Sequence, residues 1–162
     1  FDIRNYPQGT MYLVGRHLDR EENAPFVYFT QPDLDYVGKF RWRKDFNNGP
    51  NRKKVYYKGK VVMLVDETTQ SHAEFTTMLF QTVKNSTTIG SQTAGADGNV
   101  SDVLFPGNHK SWITGLGVFY PDGTETQRKG IRVDMEINPT VAGIRDSRDE
   151  VLEKALEVAG KK

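Results

Sequence analysis

The segment from residue 60 to residue 95 constrains the fold most, because its apolar pattern changes from that of a strand to that of a helix. Residues 61–65 are apolar without interruption, which is typical of a strand buried on both faces, as in a parallel sheet. Polar residues follow at 66–70, and then one helix face is marked at steps of three and four by Phe75, Met78, Leu79, Thr82 and Val83. The segment therefore predicts a strand, a turn and a helix that begins at or just after Ser71.

Ser71 has two interpretations at this position. With Glu74 three residues later it forms the sequence of a capping box, which is a common structural feature of helix N-termini. A helix N-terminus also presents unpaired N–H groups and a partial positive charge. A serine there can project its hydroxyl above the sheet, while the N–H of His72 points toward any oxygen that the serine attacks. The segment alone leaves both interpretations open.

Four separated motifs resemble those of the C-terminal processing peptidases and the tricorn-core serine peptidases, and they occur in the same order. The motif around the serine is Ser-x-x-Glu at residues 71–74, followed by the helix and by Ile-Gly-x-x-Thr-x-Gly at 89–95. The others are Asp-Ile-Arg-Asn-Tyr-Pro-Gln-Gly at 2–9, Gly-Ile-x-x-Asp-x-x-Ile at 130–137, and Asp-x-Val-Leu-x-x-Ala-Leu at 149–156. Together they cover most of the chain.

This resemblance implies an α/β fold of the ClpP/crotonase type, in which parallel strands carry the nucleophile turn beside an antiparallel hairpin region and a C-terminal helix. It implies that residues 1–162 form a single peptidase catalytic domain. That domain is expected to be truncated at its N-terminus, because the sequence starts at Phe1 inside a strand motif and the catalytic domain of the family begins earlier.

The activity implied by the resemblance is hydrolysis of peptide bonds through an acyl-enzyme on Ser71. The backbone N–H groups of Gly9 and His72 are expected to hold the oxyanion, and a glycine lets the backbone approach a substrate carbonyl closely. No metal and no organic cofactor is implied. The expected partner is a peptide or protein substrate.

The base that would activate Ser71 is not evident in this chain. The processing-peptidase branch has a catalytic lysine in the loop after Thr-x-Gly, where this chain has Ala96 and Asp97. The tricorn-like branch remains, and there the resemblance implies a Ser-His-Ser-Glu tetrad whose histidine lies upstream of residue 1. His72 directly follows the serine, and adjacent helix residues do not face each other. The isolated chain is therefore expected to be inactive or nearly so.

The other histidines and two carboxylates complete the candidate site residues. His17 and His109 are expected to be surface or loop residues rather than bases. Glu74 is expected to act through the capping box or through an interaction across the site. Glu125 resembles the glutamate of the tetrad, but an exposed position in a hairpin is an equal alternative because hairpin register is not fixed by the sequence.

Two other functions fit the same fold. One is a ligand-binding module, similar to the retinoid-binding proteins that resemble these peptidases. The other is an acyl-CoA enzyme of the crotonase type, which uses paired N–H donors but needs no serine nucleophile. A histidine upstream of residue 1 would favour the peptidase, and replacing Ser71 by alanine would abolish peptidase turnover while sparing either kind of binding.

Composition excludes several classes of function. The net charge of +1 gives no general attraction to nucleic acid, so the basic and aromatic residues between 40 and 60 are interpreted as a solvated loop. The absence of cysteine excludes disulfides and thiolate catalysis. The sequence does not determine the oligomeric state, and a homo-oligomer is one alternative. The resemblance to the family suggests a periplasmic or cell-surface parent protein.

The remaining patterns predict the other elements. A helix is expected over residues 10–20, and no pattern is evident between 33 and 60. Strands are expected at 25–29 and 87–89, and antiparallel strands at 103–105, 112–114, 117–120 and 131–137. A last helix is expected from about Ser147, with a capping box formed by Ser147 and Glu150.

Overall fold

The computed structural model describes residues 1–50 and 55–160 of the 162-residue chain, so Asn51, Arg52, Lys53 and Lys54 of the predicted solvated loop lie outside the described residues. The helices are α1 (Thr10–Val14), followed by a 3-10 turn (Gly15–His17), α2 (His72–Phe80), α3 (Val141–Arg145) and α4 (Glu150–Gly160). The strands are β1 (Tyr28–Pro32), β2 (Phe40–Arg43), β3 (Val61–Val65), β4 (Ser86–Gly90), β5 (Val100–Phe105), β6 (His109–Thr114), β7 (Gly117–Phe119) and β8 (Met135–Glu136).

The strands form a mixed α/β fold with parallel and antiparallel sheets. One sheet has the order β3-β4-β8 and is parallel throughout. A second sheet has the order β2-β1-β7 and is antiparallel, and β5 and β6 form a separate antiparallel hairpin. On the free side of β3, Asp2 forms a parallel bridge with Leu64. The predicted combination of parallel strands with an antiparallel hairpin region is confirmed.

The uninterrupted apolar run of β3 is explained by burial on both of its faces. Val61, Met63 and Val65 belong to a hydrophobic cluster that includes the buried residues of α2. Val62 and Leu64 belong to a second cluster, which includes the residues that α4 packs against the sheet. Because side chains alternate between the faces of a strand, a strand between two helical layers needs apolar residues at every position.

The predicted strand, turn and helix are all present, and α2 begins directly after Ser71. Apart from His72 and Phe75, which are partly exposed, every residue of α2 is buried. A helix that is buried on nearly all sides lies in the interior of the domain rather than on its surface. The two partly exposed side chains therefore mark the one face of α2 that is open to a ligand.

Gly90 closes the parallel pair formed by β3 and β4. Its φ is 141°, and a Cβ atom placed there would lie 1.8 Å from the backbone oxygen of Val65. Only a residue without a side chain permits this approach. The glycine of the Ile-Gly motif is thus required by strand packing.

Two predicted elements in the N-terminal half of the chain have different bounds in the structure. The helix expected over 10–20 ends earlier, because Gly15 packs against Leu79 and its carbonyl accepts a hydrogen bond from the buried Arg20 side chain (Nε to O, 3.0 Å). The strand expected at 25–29 lies at Tyr28–Pro32 instead, where it pairs with both β2 and β7. β2 itself falls in the region where no pattern was evident, and all four of its residues are exposed.

The expectation of an antiparallel strand over 131–137 is wrong. Only Met135–Glu136 forms a strand, and it pairs with β4 in the parallel direction. Before this strand, two backbone amides donate to side chains instead of to a neighbouring strand. The Ile131 N–H donates to Thr93 Oγ1, and the Arg132 N–H donates to the Tyr120 hydroxyl, both at 2.9 Å. The alternation of apolar and polar residues reflects the packing of the apolar side chains: Ile131 belongs to the first hydrophobic cluster and Val133 packs against it, and Met135 and Ile137 pack against the second.

The last helix also starts later than expected, at Glu150. Ser147 has a φ of 55° and its N–H donates to the Ile144 carbonyl, so it ends α3, which the sequence did not predict. Asp149 caps α4 by accepting a hydrogen bond from the Leu152 N–H (2.9 Å). Glu150 instead accepts hydrogen bonds from the backbone and side chain of Thr140.

No helix in the described ranges has the length and apolar character needed to cross a membrane.

Candidate active site

Ser71 has a backbone conformation that non-glycine residues rarely adopt. Its φ and ψ are 53° and −122°, at the junction between the turn that follows β3 and the first residue of α2. Such a conformation costs on the order of 1–3 kcal/mol and persists only where the surrounding structure enforces it. The Ser71 N–H donates to Glu74 Oε2 at 3.3 Å. This bond is the carboxylate half of the predicted capping box.

Glu74 is completely buried and accepts four hydrogen bonds. Besides the Ser71 N–H, its carboxylate accepts from Thr93 Oγ1 (2.5 Å), the Gly95 N–H (2.9 Å) and the Ala96 N–H (2.9 Å). A carboxylate that is surrounded only by donors is satisfied as an anion despite its burial. Glu74 therefore joins the first turn of α2 to the loop that follows β4.

A cleft of about 350 Å³ opens beside Ser71, and Ser71 and His72 are among its lining residues. Much of its wall is aromatic, and its polar lining includes Gln31, Arg43 and Asn99. The aromatic residues come from four separate parts of the chain: Tyr6, Tyr12, Phe29, Phe46 and Phe75. The His72 ring lies among them, with centroid distances of 5.7 Å to Tyr6, 6.4 Å to Tyr12 and 6.3 Å to Phe75.

Of the two residues whose amides are expected to hold an oxyanion, His72 lines the cleft and Gly9 does not. Gly9, with a φ of 77°, precedes α1, and the rings of Tyr6 and Tyr12 from the same region pack near His72. In the described turns and loops, the Thr10 N–H donates to Pro7 and the Ala73 N–H to Gln70, whereas no such bond uses the amide of Gly9 or of His72. Their role as oxyanion donors stays a prediction.

Asp97 is a cleft residue that the sequence identified only as a departure from the lysine motif. It is 7% exposed, and its Oδ1 accepts a hydrogen bond from the Gly98 N–H (2.7 Å). Within the described ranges, Oδ2 is buried and has no hydrogen-bond partner. Burial, together with the nearby charge of Glu74, raises the pKa of Asp97 to about 7. Its position just after the Thr-x-Gly motif was the one sequence signal that could have indicated it.

Glu125 lies in the turn region after β7, where it bridges Phe119. Its carboxylate pairs with the Arg128 guanidinium (Oε1 to Nη2, 2.6 Å), and it is not among the residues that line the cleft. The nearby Gln127, which sequence reasoning missed, does reach the cleft wall. Its Nε2 donates to the carbonyls of Asp97 and Leu116, at 2.8 Å each.

The other histidines do not share the cleft with Ser71. His17 and His109 are exposed, and neither lines the cleft. Among residues 1–50 and 55–160, no group of three or more histidines, aspartates or glutamates is arranged to hold a metal ion.

Several solved structures share this fold. A peptidase from Parabacteroides merdae, described as putative, aligns with a TM-score of 0.78 and 17% identity over 94% of this chain and 47% of its own. The tricorn protease aligns with a TM-score of 0.60 and 14% identity over 97% and 14% of the two chains. The photosystem II D1 C-terminal processing protease aligns with a TM-score of 0.53 and 18% identity over 99% and 38%. This chain thus spans about half or less of the length of these structures.

The fold is therefore one that peptidases use. The family model of peptidase family S41 matches residues 8–137, and the chain belongs to that family. The family predicted from the four motifs is confirmed, and it is a family of serine-type hydrolases. No curated protein matches the chain.

Proposed function

We propose that this chain carries the nucleophile of a serine peptidase with a ClpP/crotonase-like fold, and that Ser71 forms the acyl-enzyme. The observation that supports this most is the strained backbone of Ser71, at the start of a buried helix and on the wall of a large cleft. Strain of this kind is concentrated at functional sites, where the structure holds a group in a reactive position.

In the proposed reaction, a base takes the Ser71 hydroxyl proton as the oxygen attacks the carbonyl carbon of a peptide bond. The negative charge that develops on the carbonyl oxygen is held by the N–H groups of Gly9 and His72. Collapse of this intermediate returns the proton to the departing amine and leaves an ester on Ser71, which water then hydrolyses. Donors of this type typically contribute about 10²–10³-fold each to the rate.

The two predicted carboxylates have different roles in this proposal. Glu74 is a positioning residue, because all of its hydrogen bonds hold backbone or Thr93 rather than a reacting group. Glu125 stays a prediction as the carboxylate of the tetrad, and it would have to exchange its contact with Arg128 for one to the base.

The base itself is proposed to come from outside residues 1–162. His72 is the one histidine that lines the cleft in the described part of the chain, and its ring packs among aromatic residues next to the serine in sequence. Neighbouring residues of a helix point in different directions, so His72 is a poor acceptor for the Ser71 proton. Residues 1–162 alone are therefore expected to be inactive or nearly so.

A fluorophosphonate probe tests both parts of this proposal. The full-length protein should be labelled at Ser71 and should hydrolyse peptides, and Ser71→Ala should lose both properties. Ser101→Ala, which changes an exposed serine of β5, should keep both. Labelling of isolated residues 1–162 as fast as the full-length protein would refute the claim that the base lies outside this chain, and an active Ser71→Ala variant would refute the nucleophile.

A ligand-binding module is the second candidate, and the aromatic lining of the cleft favours it. A volume of about 350 Å³ suits a small apolar ligand as well as a substrate side chain. In that case the full-length protein would bind its ligand equally well with serine or alanine at position 71, and no peptide would be hydrolysed.

A further inference from the structure

We propose that the cleft beside Ser71 is a subsite for a basic substrate side chain, lysine or arginine, and that Asp97 is the carboxylate that meets its charge. The inference rests on the proposed peptidase function and specifies its substrate class. Asp97 is a wall residue of the cleft that contains Ser71, so a group bound there lies beside the reacting serine.

The unpaired oxygen of Asp97 is the first observation that supports a cationic ligand. One carboxyl oxygen accepts from the Gly98 N–H, and the other is buried without a partner in the described ranges. A buried carboxylate oxygen that lacks a partner costs free energy until a proton or a cation satisfies it. Since the terminal torsion of an aspartate is soft, the carboxyl group can turn its unpaired oxygen toward a ligand.

The aromatic walls are the second observation. Long basic side chains bury their methylene stems against apolar surface, and their charged heads are attracted to the faces of aromatic rings. The rings of Phe29, Phe46 and Phe75 form one connected group, with centroids 4.8 Å apart for Phe29 and Phe46 and 6.2 Å apart for Phe29 and Phe75. Tyr6 and Tyr12 line the same cleft.

Among the described residues, no charged side chain of α2 or of β2 forms an ion pair with Asp97. From α2, the buried Glu74 adds a second negative charge to the surroundings of Asp97, and His72 contributes its imidazole. From β2, Arg43 lines the cleft, but its guanidinium pairs with Asp45 (Nη2 to Oδ2, 2.8 Å).

The segment after Thr126, which packs against the Asp97 loop, carries two further cations. The Arg128 N–H donates to the Gly95 carbonyl, while its guanidinium pairs with Glu125. Lys129 is exposed. The cleft therefore offers an incoming cation a carboxyl group that no described basic side chain already occupies.

Binding of a cation should displace the proton that Asp97 holds near neutral pH. Because the pKa of Asp97 lies at about 7, the carboxyl is mostly protonated at pH 6 and mostly ionised at pH 8. The affinity for a basic side chain should therefore rise by up to about tenfold between these pH values, whereas the affinity for a neutral side chain of the same shape should not.

The experiment uses the full-length protein with Ser71→Ala, so that binding is measured without turnover. Two fluorescent peptides that differ only in lysine or norleucine next to the scissile bond are titrated by anisotropy at pH 6 and pH 8. The lysine peptide should bind more tightly at pH 8 than at pH 6 and more tightly than the norleucine peptide. An equal or better affinity of the norleucine peptide at pH 8, or no binding of either peptide, would overturn the proposal.

Variants separate Asp97 from His72, the other histidine or carboxylate side chain among the residues that line the cleft. Adding Asp97→Asn should remove both the preference for lysine and its pH dependence. Asp102→Asn, which changes an exposed carboxylate that pairs with Lys110, should leave both unchanged. A lysine preference that survives Asp97→Asn would assign the cation to another group. Fluorophosphonate labelling of the protein with Ser71 intact is a separate measurement, so failure of the peptidase function and failure of this subsite are distinguishable.

Discussion

At the residue scale, the unusual backbone of Ser71 and the unpaired oxygen of Asp97 both cost folding free energy without contributing to stability. Ser71 has a positive φ although it is not a glycine, and Asp97 is buried with one oxygen unsatisfied. Either cost could be removed by a single substitution. At each position, a variant that removes this cost is therefore expected to raise the free energy of unfolding.

Ser71→Gly is expected to be more stable than Ser71→Ala by about 1 kcal/mol or more, because glycine adopts a φ of 53° without a steric penalty and alanine does not. Urea unfolding of the two variants measures the difference, and neither retains the hydroxyl. As a control, the same pair of substitutions at Ser101, in a regular strand, should favour alanine. Equal stability of the two Ser71 variants would show that the junction is not strained.

Asp97→Asn is expected to stabilise the protein at pH 8 by on the order of 2–4 kcal/mol, and to have little effect near pH 4. The folded pKa of Asp97 is raised to about 7, so ionisation disfavours the folded state and stability falls as pH rises from about 4 through 7. Asparagine cannot ionise, and its carbonyl oxygen can still accept from the Gly98 N–H. Thermal unfolding from pH 4 to pH 8 measures the effect, and a shift that does not vary with pH would contradict it.

At the element scale, the site depends on a contact between α2 and the loop after β4. Glu74 holds residues 93–96 against the first turn of α2, and Thr93 Oγ1 in turn accepts from the Ile131 N–H (2.9 Å). Three separate stretches of chain are thus joined through the side chains of Glu74 and Thr93. The cleft wall that includes Asp97 is a continuation of this loop.

Glu74→Gln is expected to destabilise the protein by about 2–4 kcal/mol, because the new amide group places N–H donors against the donors that the carboxylate accepted. It should also slow fluorophosphonate labelling of the full-length protein by loosening the turn at Ser71. Glu67→Gln, which changes a glutamate that bonds with Ser91, is the matched control and should have a small effect on both. A Glu74→Gln protein with unchanged stability would exclude this role.

The sequence predicted the elements whose pattern arises from burial and missed those that arise from individual contacts. β3 and α2 were predicted because burial on nearly every side requires an apolar pattern that can be recognised. Residues 131–134 alternate in polarity without forming a strand, since the amides of Ile131 and Arg132 bond to side chains distant in sequence. Ser71 and Glu74 were identified by their motif, whereas Asp97 became a candidate only when folding placed it in the cleft and left its oxygen unpaired.

At the scale of the whole molecule, the structure combines a protected centre with an exposed hairpin. β3 and β4 lie between α2 and α4, and their residues are mostly buried. The hairpin of β5 and β6 is exposed at every position but one, and its exposed residues include Leu104 and Trp112. A two-stranded hairpin with so little burial has little stability of its own.

Hydrogen exchange should show this contrast directly. The amides of β3 and β4 are expected to exchange only on global unfolding, and those of β5 and β6 at least about 100-fold faster, because local opening of the hairpin exposes little apolar surface. Mass spectrometry of peptides from the two regions of the same sample measures both rates. Equal protection of the hairpin and the central strands would mean that something else covers the hairpin.

Because the Glu74 carboxylate joins α2 to the loop after β4, labelling of Ser71 and the folded structure should be lost at different stages of denaturation. If that loop lifts away, residue 71 is free to relax into a helical conformation, which would extend α2 backwards and withdraw the hydroxyl from the cleft. Mild denaturation should then abolish the fluorophosphonate labelling proposed for Ser71 while the circular dichroism signal of the central sheet is still complete, so labelling should be lost before the fold is.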